Sequence, residues 1–490
     1  MPKSNTLKNY SWIIGAALFV RLIAVIFSPG YGMHDDHFLI IESSASWADG
    51  FDYNNWLPWT EGNGGEPEGH SFTYVGLNFV YFWIMKAIGI VDPGILMFFN
   101  RFIHALASML VVVYGIKITE RLSNQKNAKI VGWLLALLWL MPFISVRNLV
   151  ETAAIPFIVA GVWFALRKSK MIDFLWAGML LGCAVSFRYQ IGVFAIGMAA
   201  IYFFQFKWKP FLLFCAGVLI IFGLTQGLVD YFIWKRPFAE LLAYVTYNMN
   251  EGKSYLTNQN YFMYFLVLTG SLLFPFGLVM FTGFIRSWKK YMILFVPTLV
   301  FILFHTAYPN RQERFILSIL PFFIILGVIG YDLFKETRAK EKIWKFSWIT
   351  FWVLNIPVLI FASTMYSKKS RVEAMKTLYD NGMHKEHVLL EGTASGSTSM
   401  MPKFYAKEWN CAFLDRTDST EQIRFENSNN FDFIFFFDEA QLSKRISNYN
   451  KLYPKMQLVK KCYPSTLDVL LREMNPRNAN EYIEVWKTNR

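Results

Sequence analysis

Residues 314–333 read RFILSILPFFIILGVIGYDL, and this stretch decides the class of the fold. Its ionisable side chains, Arg314 and Asp332, stand at its two ends, and everything between is apolar, Gly, Ser or Pro. About 20 such residues are what an α-helix needs to cross the hydrocarbon core of a bilayer. Working outward, comparable blocks run at approximately 11–28, 73–91, 95–116, 130–146, 150–166, 172–186, 190–206, 210–233, 261–285, 291–306 and 345–363. The chain of 490 residues is 54% hydrophobic and 17% charged, against about a quarter charged in an average soluble domain. These features imply a polytopic α-helical membrane protein.

The formal net charge is +13. In a soluble protein this points to nucleic acid, but here the Lys and Arg residues fill short loops between apolar blocks, as the positive-inside rule expects. Nucleic-acid binding is excluded on that basis. The first block follows Lys3 and Lys8, and no small-residue cleavage site follows it, so it is expected to remain as a first span.

The basic clusters near residues 117–129, 167–170, 207–209, 286–290 and 335–345 should share one face with the N-terminus. They do so only if block 73–91 does not cross. That block is short and aromatic and carries Lys86, so it reads as an interfacial or re-entrant helix. The expectation is about eleven spans, with the loop 29–95 and the C-terminal tail on the outer face. Residues 1–365 then form the transmembrane module and 366–490 a small extramembrane α/β domain. Its strand-length runs are His387–Leu390, Phe431–Phe437, Met456–Val459 and Tyr482–Trp486. An exported tail would permit a disulfide between Cys411 and Cys462.

The chemically varied loops gather on the outer face. HDDHF (34–38), with Glu42 beyond it, places two adjacent carboxylates at the membrane surface, where they are costly unless used or paired. Asp35 or Asp36 there can serve as a general base, or the pair can hold a divalent cation; His37 joins them as an orienting group. A zinc site on His34 and His37 lacks evident further ligands. PNRQERF (309–315) puts Arg311, Glu313 and Arg314 in a short outer loop, against the positive-inside trend. Arginine grips phosphate oxygens bidentately, so this loop suits an anion. Arg147 and Glu151 are four apart and are expected to meet on one helix face. Arg188 has no acidic neighbour in sequence, which favours a ligand anion. The stretch from Asp230 and Tyr231 to Tyr261 is rich in Tyr, Asn and Gln, a composition suited to sugar recognition.

These segments together resemble the GT-C membrane glycosyltransferases, in particular the Alg9/Alg12 and GPI-anchor mannosyltransferase (GT22-type) family. HDDHF is similar to that family's His-Pro-Asp-Glu-x-Phe motif, without the Pro and with Asp for Glu. AGMLLGCAVSFRYQIG (177–192) resembles its span ending in Phe-Arg. VDYFIWKRPFAELLAYVTYNMNEGKSYLTNQNYFMYF (229–265) is similar to its Asp-x-Tyr-Phe-Tyr-Gly region. YPNRQERFILSILPF (308–322) resembles its His-Lys-Glu-Glu-Arg-Phe-Leu motif. The resemblance covers about residues 11–335 and leaves the tail uncovered.

It implies an inverting transferase that moves a sugar, mannose on the family pattern, from a polyprenyl- or dolichyl-phosphate donor. The acceptor is a glycan, glycolipid or protein hydroxyl. Asp35 is the first choice of base and Asp36 the second. Arg188, Arg311, Arg314 and Lys86 would hold the donor phosphate, and Glu313 would orient the arginines. No cofactor is required beyond the cation already mentioned. The lack of outward Asn-x-Ser/Thr sequons points to a bacterial inner membrane with a periplasmic active site. The rival class is a polytopic transporter or lipid-glycan flippase, which would show repeat symmetry.

Overall fold

A computed structural model describes residues 6–32, 36–54, 66–167, 169–252, 254, 259–383, 386–392, 401–407, 410–414, 431–474 and 481–489. The chain divides into two compact units. One comprises Met1–Ile26, Glu61–Leu77 and Asn100–Thr364; the other comprises Phe27–Thr60, Asn78–Phe99 and Met365–Arg490. The outer loop expected over 29–95 is thus shared between the units.

The first unit is helical. Among the described residues, five helices are long and apolar enough to cross a membrane: Pro93–Leu122, Val150–Arg167, Trp208–Trp234, Glu313–Tyr331 and Arg338–Thr364. Met263–Ser271 and Phe276–Arg286 make a sixth if counted together, although they bend by 115°. Pro275 lies in that break and has no N–H to continue a helix. Four more apolar helices, Ser11–Phe27, Ile172–Phe187, Tyr189–Phe204 and Met292–Ala307, are shorter. Length and composition therefore do not reach the expected eleven spans. Phe72–Ala87, the block read as interfacial, is a helix of 16 residues.

Block 130–146 is interrupted: Gln125–Leu137 ends and the short helix Leu140–Ile144 follows. A broken helix exposes backbone groups that lipid cannot satisfy. Asn355, fully buried, repairs the break. Its Oδ1 accepts the N–H of Trp139 at 2.9 Å and its Nδ2 donates to Leu137 O at 2.7 Å. Arg21 serves the preceding turn, donating to Leu135 O and Ala136 O, both at 3.1 Å. The helices Ile172–Phe187 and Trp208–Phe222 touch through glycine. A Cβ on Gly178 would stand 2.0 Å from Phe214 O, and one on Gly217 2.3 Å from Leu175 O, the close approach that small residues permit between membrane helices.

The second unit is mixed. Its sheet consists of β1 (His387–Glu391), β2 (Asn410–Leu414), β3 (Phe433–Phe437), β4 (Gln457–Cys462) and β5 (Ile483–Lys487), in the order β2-β1-β3-β5-β4. β1 runs parallel to β2 and β3, and β5 runs antiparallel to β3 and β4. The four strand-length runs read from the sequence each hold a strand; β2 was not foreseen. One apolar core joins the sheet to the segments at 38–53 and 82: Phe38, Ile41, Tyr53 and Phe82 pack with Phe404, Tyr405, Phe433 and Phe435.

The cysteine expectation is overturned. Cys462 is a free, buried thiol, and burial pushes its pKa up to about 12. Cys411 lies on β2 and Cys462 on β4, at opposite edges of the sheet. Four strand steps separate them by about 19 Å, whereas a disulfide needs Cα atoms within about 7 Å.

Candidate functional site

The helical unit carries an arginine cluster built from three helix ends. Glu151 lies in the first turn of Val150–Ala153 and is 1% exposed. Arg188 follows the helix Ile172–Phe187 in extended conformation. Its Nη2 stands 3.2 Å from Glu151 Oε1, and Arg314 Nε is 3.8 Å from the same oxygen. Both arginines use Nε on a glutamine two positions away: Arg188 on Gln190 and Arg314 on Gln312, each at 2.9 Å. Both also face the ring of Phe315, at 4.8 and 5.5 Å. Arg311 donates to Thr306 O at 2.8 Å and covers the ring of Tyr261 at 4.3 Å. The charges of Arg188 and Arg311 both act on the Tyr264 hydroxyl. Two guanidiniums thus share one buried carboxylate oxygen, with Arg311 and Glu313 acting on the same Tyr264 as Arg188. Planar, partly desolvated guanidinium donors of this kind suit a phosphate-like anion.

The second unit carries the acidic segment. Asp36 begins a π-helix, Asp36–Glu42, a rare form that clusters at functional sites. Asp36 is 3% exposed and its Oδ2 accepts the N–H of Gly32 at 2.9 Å. His37 is fully buried between two rings, Tyr31 at 4.6 Å and Tyr405 at 5.6 Å. Its Nε2 is 3.3 Å from Glu42 Oε1, which also accepts the N–H of Phe404 at 2.9 Å. Asp35 and His34 lie outside the described residues. Lys86, half exposed, belongs to this unit, donates to Ala48 O at 2.8 Å and lies 4.0 Å from Asp49. Lys86, Lys407, Asp49, Tyr53 and Tyr379 line a cleft of about 240 Å³.

Several expected partnerships are redrawn. Arg147 and Glu151 do not share a helix face, because the chain leaves helix between Ile144 and Val150. Arg147 is buried over Phe143 at 4.6 Å. Glu313 is exposed, and the acid between Arg188 and Arg314 is Glu151. Tyr231 is 52% exposed on its helix. Asp230 is fully buried, and its oxygens accept Gln226 Nε2 at 2.8 Å and the N–H of Glu240 at 2.9 Å.

Glu240 escaped the sequence reading. It is 1% exposed, and its Oε2 accepts the N–H groups of Gly69 and His70 at 2.7 and 2.9 Å. Burial pushes its pKa up to about 7; the two N–H bonds oppose the rise and the charge of Asp230 adds to it. His305 also went unread. Its Nε2 is buried without a hydrogen bond among the described residues, and the charge of Arg188 reaches it. Glu240 lies inside the quoted stretch 229–265 but away from its Asp-x-Tyr-Phe start, and His305 precedes the 308–322 motif. Among the described residues, no group of three or more His, Cys, Asp or Glu gathers to hold a metal ion.

Residues 12–392 match the model of the Alg9-like mannosyltransferase family. No curated protein matches the sequence. Among solved structures, the chain is similar to ArnT from Cupriavidus metallidurans bound to undecaprenyl phosphate. That likeness has TM-score 0.62 and 11% identity, covering 98% of both chains. It is also similar to the archaeal oligosaccharyltransferase AglB from Archaeoglobus fulgidus, in complex with an inhibitory peptide and a dolichol-phosphate. There the TM-score is 0.51 with 11% identity, covering 91% of this chain and 71% of that one. At this identity the likeness concerns the fold, which is that of GT-C glycosyltransferases.

Proposed function

The chain belongs to the Alg9-like mannosyltransferase family, and from that premise we propose that it moves a sugar, mannose in this reading, from a polyprenyl-phosphate donor to an acceptor hydroxyl. The observation that carries the proposal is the Arg188–Glu151–Arg314 cluster, two planar guanidiniums gathered at one buried carboxylate. The two solved neighbours that hold undecaprenyl phosphate and dolichol-phosphate support the same donor class.

The reaction is a single displacement with inversion. The acceptor oxygen attacks the anomeric carbon, the bond from that carbon to the phosphate oxygen breaks, and the lipid phosphate leaves with the electron pair. Asp36, or Asp35 beside it, takes the acceptor proton. Arg188, Arg311 and Arg314 neutralise the charge that develops on the departing phosphate, where preorganised donors act most strongly. Lys86 adds a further cation to the donor side. In this reading the enzyme works in a bacterial inner membrane with its chemistry on the periplasmic face. The acceptor is a glycan, glycolipid or protein.

The test uses purified full-length protein in detergent, with radiolabelled mannosyl-phosphoryl-undecaprenol and a membrane glycolipid extract. Label in a new product, lost in Arg188→Ala, supports the reading. No transfer from this or any other lipid-linked sugar, with vectorial movement of the labelled lipid in vesicles, replaces it with the flippase. Runs with EDTA or added magnesium decide whether the paired carboxylates need a divalent cation.

A further inference from the structure

We propose that the turn Lys403–Tyr405, which lies beyond the family-matched residues 12–392, is a positioning element of the transfer reaction, setting the His37–Glu42 pair that fixes Asp36. The proposal rests on the reading of the chain as a lipid-phosphate sugar transferase.

The turn makes three contacts with the acidic segment. The Phe404 N–H donates to Glu42 Oε1 at 2.9 Å. The Tyr405 ring lies parallel to His37, 6° between planes and 5.6 Å between centroids. Phe404 packs edge-on to the same imidazole at 6.4 Å. With Tyr31 on its other face at 4.6 Å, His37 has no room to turn. A second layer braces the turn: Lys403 Nζ donates to Tyr53 O at 2.6 Å, and Lys407 Nζ reaches Asp49 at 3.0 Å.

Glu42 is 1% exposed and His37 fully buried. Burying an acid and an imidazole this deeply is expensive, and an apolar pair of equal size would pack at lower cost. Glu42 Oε1 is shared between His37 Nε2 at 3.3 Å and the Phe404 N–H, while Asn54 Nδ2 donates to Oε2, so the turn and Asn54 together set the direction of the carboxylate that faces the ring. His37 is the next residue after Asp36 on the π-helix. Loss of the packing that holds His37 therefore loosens the backbone it shares with Asp36, and a displacement of the Asp36 carboxylate by about 1 Å costs roughly 100-fold in rate.

The experiment measures kcat, donor KM and melting temperature of the full-length protein with mannosyl-phosphoryl-undecaprenol and the glycolipid extract. Tyr405→Leu, which keeps bulk and loses the stacked ring, should lower kcat at least tenfold with KM within twofold. Tyr405→Phe, which restores the ring, should recover at least half of wild-type kcat. Glu42→Gln keeps an acceptor for the Phe404 N–H but loses the charge facing His37, and should lower kcat in the same sense. A folded Tyr405→Leu with wild-type kcat overturns the proposal, as does a loss confined to KM, or Tyr405→Phe falling as far as Tyr405→Leu. If Tyr405→Leu does not fold, Glu42→Gln decides: unchanged kcat overturns the proposal. Wild-type protein that transfers no label defeats the transferase reading and this inference with it, whereas active wild type with unaffected variants defeats this inference alone.

Discussion

Arg188 and Glu151 are 37 positions apart in sequence, yet Arg188 Nη2 stands 3.2 Å from Glu151 Oε1, with the acid buried and the arginine partly open. The pair is asymmetric in a useful way. Glu151 holds the inner edge of the guanidinium while Arg314 competes for the same oxygen at 3.8 Å. One buried carboxylate oxygen thus lies within reach of both guanidiniums.

Removing the acid should therefore hurt the fold more than the chemistry alone suggests. Glu151→Gln removes the carboxylate that lies between two guanidiniums. The expected loss is about 3 kcal/mol, the range found when one partner of a buried pair is removed, read as a lower melting temperature. Arg188→Lys keeps the charge and loses the fork. It should raise donor KM at least tenfold while the melting temperature moves little.

Asp36→Asn preserves the oxygen that accepts the Gly32 N–H at 2.9 Å, so the local fold should survive. If this carboxylate takes the acceptor proton, kcat should fall by about 10²–10⁴, the usual contribution of a general base, with donor KM unchanged. The same fall in Asp35→Asn, with Asp36→Asn active, would move the base to the neighbouring residue.

Glu240 gives the protein a pH-dependent stability. Burial raises its pKa from 4.5 to about 7. A group whose pKa is raised on folding binds its proton more tightly in the native state. Its stabilisation is then complete below pH 4.5 and is lost as pH rises through about 7. The loss is on the order of 3 kcal/mol at 1.36 kcal/mol per unit. Glu240→Gln, which can still accept the Gly69 and His70 N–H groups, should remove the dependence. Melting temperature measured from pH 5 to 9 should fall for wild type and stay flatter for the variant.

The membrane class and the tail strands were legible because hydropathy and strand composition are local signals. His387–Glu391 and Phe433–Phe437 lie almost where apolar runs of strand length put them. The helix breaks were not legible: Leu138 ends a helix inside an unbroken apolar run, and the group that repairs it, Asn355, is 217 positions further on. At the site, the arginines were found because charge in an outer loop is unusual. Their partner was misread, since helical spacing paired Glu151 with Arg147 while the chain turned away at residues 145–149. The tail's share in the acidic segment leaves no trace in sequence, because it rests on one ring stack, one edge-on ring contact and one backbone N–H.

Gly30 and Gly50 offer a matched pair for the segment that leads into Asp36. Both have positive φ, 81° and 76°, a conformation that costs a residue with a side chain about 1–2 kcal/mol. Only Gly30 is also crowded: a Cβ there would stand 1.8 Å from Ser367 O, whereas at Gly50 nothing lies within 4 Å. Around Gly30 the chain is stitched to the start of the tail, with the Ser367 N–H donating to Pro29 O and the Ser28 hydroxyl to Met365 O, each at 3.0 Å. Gly50→Ala should therefore show the backbone cost alone, a small drop in melting temperature with activity retained. Gly30→Ala must in addition push Ser367 aside, breaking those hydrogen bonds and loosening the acidic segment. It should melt several degrees below Gly50→Ala and lose kcat. Equal behaviour of the two variants would mean that the Gly30–Ser367 contact does not hold the segment in place.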